Sequence, residues 1–332
     1  DLILSHLSPI DKYRYFLASK ETLATVRSFD SRAFRVSRLL AAYFPDLEDL
    51  TRFRRLQYYH GILISGSTAL QFFERVTYQD SDLDLYVNIE HAAPLLFFLS
   101  QVHYVFVPRS INQREFQRRL TANSLGLLRR RYEGRGIMIV FDYIRSGKKI
   151  QVIVTKQGPV DCILGFHSTC VINFISHSHA YSLFPYTTFE SKATVRLERQ
   201  LHPNDRSDDN YEGAIRKYRE RGWIDTKLPS AAVYLRNHSE FYDGERSVGD
   251  AATWKIPLED IGDSVPFNIM TLAADPVRCN SWYQRVEEAN FVIDHDNMGL
   301  GIFQQPCTVK HLWALIPHMR TFHSEDPTDE YL

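Results

Sequence analysis

Leu63-Ile64-Ser65-Gly66-Ser67-Thr68-Ala69-Leu70, followed after one short apolar segment by Ser81-Asp82-Leu83-Asp84-Leu85-Tyr86-Val87, sets the architecture expected of this 332-residue chain. A small-residue turn leaves one strand and opens a helix, and two acids then return on a second strand. Strand side chains alternate faces, so Asp82 and Asp84 point the same way, about 6 to 7 Å apart, while Leu83 and Leu85 point to the core. Two carboxylates on one open face can share a hard divalent cation, and Mg2+ takes carboxylate and phosphate oxygens. Ser65, Gly66 and Ser67 make the other half of the candidate site. Gly66 lets the backbone come close to a phosphate, Ser67 adds a hydroxyl, and the first turn of the helix offers unpaired N–H groups. Turn and acids would hold opposite sides of a magnesium triphosphate.

Each half alone is common, since Gly-Ser turns and Asp-x-Asp pairs also occur as plain turns and solvated strand edges. Taken together, Ile64-Ser65-Gly66-Ser67 and Asp82-Leu83-Asp84-Leu85 resemble the nucleotidyltransferase superfamily, the polymerase-beta-like fold. That family's pattern is an apolar residue, Gly, Gly or Ser, a helix, then Asp, apolar, Asp or Glu, apolar. The gap between the halves is slightly longer here than the family usually shows. The resemblance implies an α+β fold with a mixed sheet flanked by helices. It also implies Mg2+ as cofactor, a nucleoside triphosphate as ligand, and transfer of a nucleotidyl group to a hydroxyl acceptor.

The family completes its metal site with a third acid on a later strand. Ile137 to Ile144 reads as a strand, Ser146-Gly147-Lys148 as a turn, and Lys149 to Val154 as the returning strand. The returning strand carries Gln151 where the acid is expected. A neutral amide can coordinate through its carbonyl but neither offsets a cation's charge nor accepts a proton as a base. Asp142, on the first strand of the hairpin, is the nearby substitute. Its residue type fits a third catalytic acid and equally an acid on the wet face of a hairpin.

Composition bounds these readings. Apolar content of 44% with 13% aromatic residues argues for a folded chain, and a formal charge of −1 gives no whole-chain argument for nucleic acid or membrane. Cys162, Cys170, Cys279 and Cys307 contain no Cys-x-x-Cys pair, which argues against a zinc knuckle or disulfide framework. They read as reduced thiols of a cytoplasmic or nuclear protein. His177 with His179, and Cys307 with His311, approach ligand spacing but lack a second pair. No run is apolar enough to span a bilayer and no signal peptide is visible.

The first segment has helical periodicity in Leu2, Ile3, Leu4, Leu7, Ile10, Tyr13, Phe16 and Leu17, broken at Ser8-Pro9, and Ser19-Lys20-Glu21 precedes Leu23 and Val26. Residues 1–27 resemble the later part of an F-box, without its usual opening Leu-Pro. That resemblance implies docking on the adaptor of a cullin-RING ubiquitin ligase; read from the residues alone, the segment is a helical cap on the neighbouring domain. Together with Phe53 to Val87, it resembles a group of fungal proteins in which an F-box-like start joins a nucleotidyltransferase-like core. The alternative function this carries is an F-box-type substrate adaptor, or interaction protein, built on a catalytically degenerate nucleotidyltransferase fold.

Between acids and hairpin lie Arg114, Arg118, Arg119, Arg129, Arg130, Arg131 and Arg135. Glu115 and Glu133 interrupt them, so a solvated helix face is favoured over a nucleic-acid surface, with phosphate contact by one or two arginines still open. A second helical stretch is expected from Ser31 through Leu40 to Tyr43. Further on, the pattern predicts a helix over 188–200, a linker over 202–209, a charged helix over 211–221 stopped by Gly222, and a strand at Thr253-Trp254-Lys255-Ile256. The expected organisation is a helical F-box-like segment over 1–58, a nucleotidyltransferase-like core over 59–200 and a C-terminal α+β accessory region over 201–332.

Overall fold

A computed structural model describes residues 1–79, 81–121, 136–156, 158–197, 208–227, 239–260, 275–287 and 290–294 of the chain. In chain order these form α1 (Leu2–His6), α2 (Pro9–Ala18), α3 (Lys20–Ala33), α4 (Val36–Leu40), α5 (Leu47–His60), β1 (Leu63–Ser65), α6 (Gly66–Glu74) and β2 (Leu83–Asn88). There follow α7 (Ala92–Gln101), β3 (Val105–Val107), α8 (Ile111–Thr121), the hairpin β4 (Ile137–Arg145) and β5 (Lys148–Thr155), α9 (Pro159–Leu164), β6 (Asn173–Ile175) and β7 (His179–Ser182). The last are β8 (Ala193–Val195), α10 (Asp208–Glu220), β9 (Ile224–Thr226), β10 (Gly244–Ser247), β11 (Trp254–Pro257), β12 (Ser281–Glu287) and β13 (Asn290–Asp294).

Eight strands make one mixed sheet in the order β11-β7-β6-β1-β2-β5-β4-β3. Its β2 and β5 run parallel; the other described neighbours are antiparallel. Parallel strands need a crossover, and here α7, β3, α8 and β4 lie between them in the chain. The register pairs Leu83 with Ile150, Leu85 with Val152 and Val87 with Val154. All six are fully buried, so this face is the core. Asp82, Asp84 and Tyr86 alternate with them and take the opposite face. Near the core α5 and α7 share an aromatic cluster, with Phe44 4.9 Å from Phe53 and 5.6 Å from Phe98, centroid to centroid. The fold is thus mixed α+β, a large mixed sheet flanked by helices.

The N-terminal helices are tied to the far edge of this sheet. Phe34 ends α3, and its buried ring lies 5.7 Å from Phe72 of α6 and 5.9 Å from Trp254 of β11. This insertion interrupts the helix expected through Ser31–Leu40, and α4 restarts at Val36, whose N–H with that of Ser37 donates to the Glu259 carboxylate. Lys12 of α2 is buried with its Nζ 4.9 Å above Phe34 and 5.4 Å above Trp254, and 3.8 Å from Asp30 Oδ1. Burial pushes the Lys12 ammonium below its ordinary pKa and the Asp30 carboxyl above its own; the ammonium is held by Asp30 and by the rings, the carboxylate by Lys12 first and Arg75 second. Lys12→Ala should lower stability by about 2–4 kcal/mol, because it strands Asp30 and empties the aromatic cage. Urea unfolding reads this, and a loss within experimental error would remove Lys12 as an anchor.

Over its described part, 188–197, the helix expected at 188–200 is not formed. A π-helical turn spans Tyr186–Glu190, Lys192 adopts φ +50°, and the chain then enters β8, which pairs in parallel with β9. A strand partner from beyond the expected linker outweighs the local helical pattern. Residues 198–207, most of that linker, lie outside the described residues, whereas Asp208 and Asp209 already belong to α10. Strand β11 extends the main sheet beside β7, and every described residue falls within one contact unit, Asp1–Ile302.

Candidate functional site

The site begins where β1 hands over to α6. Ser65 is extended, and Gly66 takes φ +67°, a left-handed conformation that disfavours any residue with a Cβ. A Cβ on Gly66 would also stand 2.4 Å from Asp84 Oδ2, so the turn is pressed against the acid. Ser65 is fully buried and its hydroxyl donates to the Asn173 carbonyl at 2.6 Å, so it gives α6 no side-chain cap. Ser67 is buried in the first turn. Helix α6 in turn fixes the approach to β2. Thr68 Oγ1 donates to the Asp82 carbonyl at 2.6 Å, Gln71 Nε2 donates to Ser81 Oγ at 2.8 Å, and Tyr43 donates to the Ser81 carbonyl at 2.8 Å.

Sheet register sets the rest. Ser65 pairs with Asp84, Asp84 with Gln151, and Gln151 with Asp142, a polar row across β1, β2, β5 and β4 on one face. The neutral Gln151 therefore stands directly beside Asp84. Asp142 stands one strand further, about two strand spacings or 9–10 Å from Asp84, and it is already engaged. Arg109 binds it through two bonds, Nε to Oδ2 at 2.5 Å and Nη2 to Oδ1 at 2.9 Å, and Gln151 Nε2 donates to Oδ1 at 2.8 Å. Burial would raise the Asp142 carboxyl, but Arg109, Gln151 and Lys149 together hold it below the usual carboxylate range.

Lys149 precedes Ile150 as Asp82 precedes Leu83, so it flanks Asp82 across the strands. Its Nζ lies 2.9 Å from Asp82 Oδ2 and 3.8 Å from Asp142 Oδ1. Asp84 is different. Its Oδ1 is enclosed and has no hydrogen-bond partner, and no ion pair reaches it among the described residues. Burial first, and Asp82 second, push its carboxyl up to about 7, against the pull of Lys217 and Lys149. An enclosed carboxylate oxygen without a donor is a position that a cation would satisfy.

Further groups stand near this row. Tyr86 continues the acid face, with Phe166 5.7 Å away, ring to ring. From α10, Lys217 has its pKa lowered by burial and Arg221, while Asp84 and Asp82 pull it back up. Arg221 stacks 3.9 Å from the Tyr78 ring. Sequence reasoning passed over Lys149, Arg109 and Lys217. Alternation on β5 could have found Lys149, two residues before Gln151 and on the same face. Arg109 and Lys217 reach the row only through tertiary packing.

Other candidates disperse. On α8, Arg118 and Arg119 both pair with exposed Glu115, at 3.1 and 2.9 Å, as a solvated helix face does. Arg129, Arg130, Arg131, Arg135, Cys307 and His311 lie outside the described residues. His177 has its Nδ1 3.9 Å from Asp275, and Cys162, Cys170 and Cys279 are free thiols. No group of three or more His, Cys, Asp or Glu is placed to hold a metal among the described residues, nor is any helix there long and apolar enough to cross a membrane. Two carboxylates completed by substrate phosphates remain a common way to hold Mg2+, and the unpartnered Asp84 beside Asp82 fits that use.

No family model matches the chain, and neither does any curated protein or solved structure.

Proposed function

We propose that the chain is a Mg2+-dependent protein of nucleotidyltransferase type, which binds a nucleoside triphosphate and passes its nucleotidyl group to a hydroxyl acceptor. The observation that carries the reading is the Asp84 carboxylate, its Oδ1 enclosed and unpartnered and its Oδ2 pressed against the left-handed Gly66, with Asp82 on the same face. Asp82 and Asp84 would hold the metal. When bound, the ion would polarise the phosphoryl oxygen and favour the ionised acceptor hydroxyl. The backbone at Gly66 and Ser67 and the uncapped start of α6 would take the β and γ phosphates. Ser65 serves this turn from within, by fixing β1 to Asn173, rather than by touching phosphate. Asp142 is tied to Arg109 and so orients the row instead of completing the metal site.

One observation favours a second reading. Gln151, not an acid, flanks Asp84, and an amide cannot take the acceptor's proton. A degenerate fold serving as an interaction protein, with helices 1–27 on a cullin-RING adaptor, accommodates that. Leu2, Ile3, Tyr13 and Leu17 of those helices are exposed.

Calorimetric titration with Mg2+-nucleoside triphosphates, on wild type and an Asp82→Ala, Asp84→Ala double variant, tests the first reading. Metal-dependent binding by wild type, weakened about tenfold or more in the variant, is the expected result. Equal binding by both would remove the site. Pyrophosphate release in the presence of candidate acceptors then separates an enzyme from a binder.

A further inference from the structure

Three acids share one face of the sheet, and their counter-charges are unequally distributed. Asp142 is held by Arg109, and Asp82 by Lys149 at 2.9 Å. Asp84 alone has no ion-pair partner among the described residues, and its Oδ1 lacks any hydrogen bond. The ammonium of Lys149 also reaches Asp142, at 3.8 Å, so from β5 it spans a carboxylate just before β2 and one on β4. A cation that bridges acids on separate strands is the role of a metal ion in a two-metal phosphoryl-transfer site. Here the Lys149 ammonium lies between two of the three acids.

We propose that Lys149 is a built-in cation that replaces one of two divalent ions, so that the site binds a nucleoside triphosphate with a single metal. The inference rests on the nucleotide-binding reading above and narrows it. The charge pattern supports it in two ways. With Lys149 in place, one carboxylate remains without a direct partner, Lys217 acting on it only from beyond ion-pair distance, and a single ion shared with the triphosphate would answer it. With Gln151 rather than a carboxylate beside Asp84, a second ion would find only acids already paired. Lys149 is thereby a positioning residue. It holds Asp82 in place next to Asp84 and adds fixed positive charge where the triphosphate's negative charge would gather.

The test counts ions. Mn2+ is titrated into the full chain saturated, one at a time, with the α,β-methylene analogues of the four ribonucleoside triphosphates, and free Mn2+ is read by electron paramagnetic resonance. Wild type should bind one Mn2+ per bound nucleotide, and Lys149→Arg, which keeps the charge, should also bind one. Lys149→Met combined with Gln151→Glu should bind two. Two ions in wild type would overturn the role of Lys149 while leaving the nucleotide site standing, as would an unchanged count in the folded double variant. Absence of Mn2+-dependent nucleotide binding by wild type would remove both readings. Should the double variant not fold, the counts on wild type and Lys149→Arg decide alone.

Discussion

Gly66→Ala should disable the candidate site and lower stability by about 1–3 kcal/mol. Two separate effects combine at this position. The left-handed backbone at φ +67° disfavours any Cβ by about 1–2 kcal/mol. The new methyl would also stand 2.4 Å from Asp84 Oδ2, and since the carboxylate is the movable party, Asp84 must rotate away. The backbone strain is read in urea unfolding. The displaced carboxylate is read in nucleotide binding, which should weaken about tenfold or more. A double-mutant cycle separates the two. In an Asp84→Ala background Gly66→Ala should retain only the backbone penalty and add no further loss of binding. Equal effects in both backgrounds would show that the turn is glycine for backbone reasons alone.

Asp84→Asn carries the second large effect, and its sign depends on pH. The folded carboxyl keeps its proton to about pH 7, whereas the unfolded chain releases it near pH 4. Between those values the folded state binds more protons, so this group's contribution to stability is greatest below pH 4, falls as pH rises to 7, and is flat beyond. Three units correspond to about 4 kcal/mol at most, and partial access of solvent to the residue reduces this toward about 2. Asparagine is neutral throughout. The variant should therefore match wild type within about 1 kcal/mol at pH 4, exceed it by about 2–4 kcal/mol at pH 8, and lose the slope between. Urea midpoints across this range measure it. A variant less stable than wild type at pH 8 would mean that the native structure supplies Asp84 with a partner in solution.

The strand, turn, helix and strand around Gly66 were legible because each rests on local chemistry: alternation at Asp82 and Asp84, a glycine at the turn, apolar residues between. The hairpin around Gly147 was legible for the same reason, and it appears as β4 and β5. What could not be read was which strands lie side by side. That Gln151 falls beside Asp84, and Asp142 one strand beyond, is a matter of register between distant segments. Nor could sequence tell that the Ser65 hydroxyl turns to Asn173, or that Phe34 would break a helix to sit between Phe72 and Trp254. In both places a long-range contact outweighs a local preference.

The parallel pairing of β2 with β5 has a consequence for the order of assembly. The turn at Gly66 and the acid pair belong to a local strand-helix-strand unit that can form early. Gln151 and Lys149 reach Asp84 and Asp82 only after the segment carrying α7, β3, α8 and β4 has closed behind them. Loop closure of that length opposes pairing until the contacts are made, and non-local parallel pairing is slow. Before that closure, Asp82 and Asp84 would face solvent without Lys149. A divalent cation present at that stage would meet a more open and more negative pair than the finished protein offers.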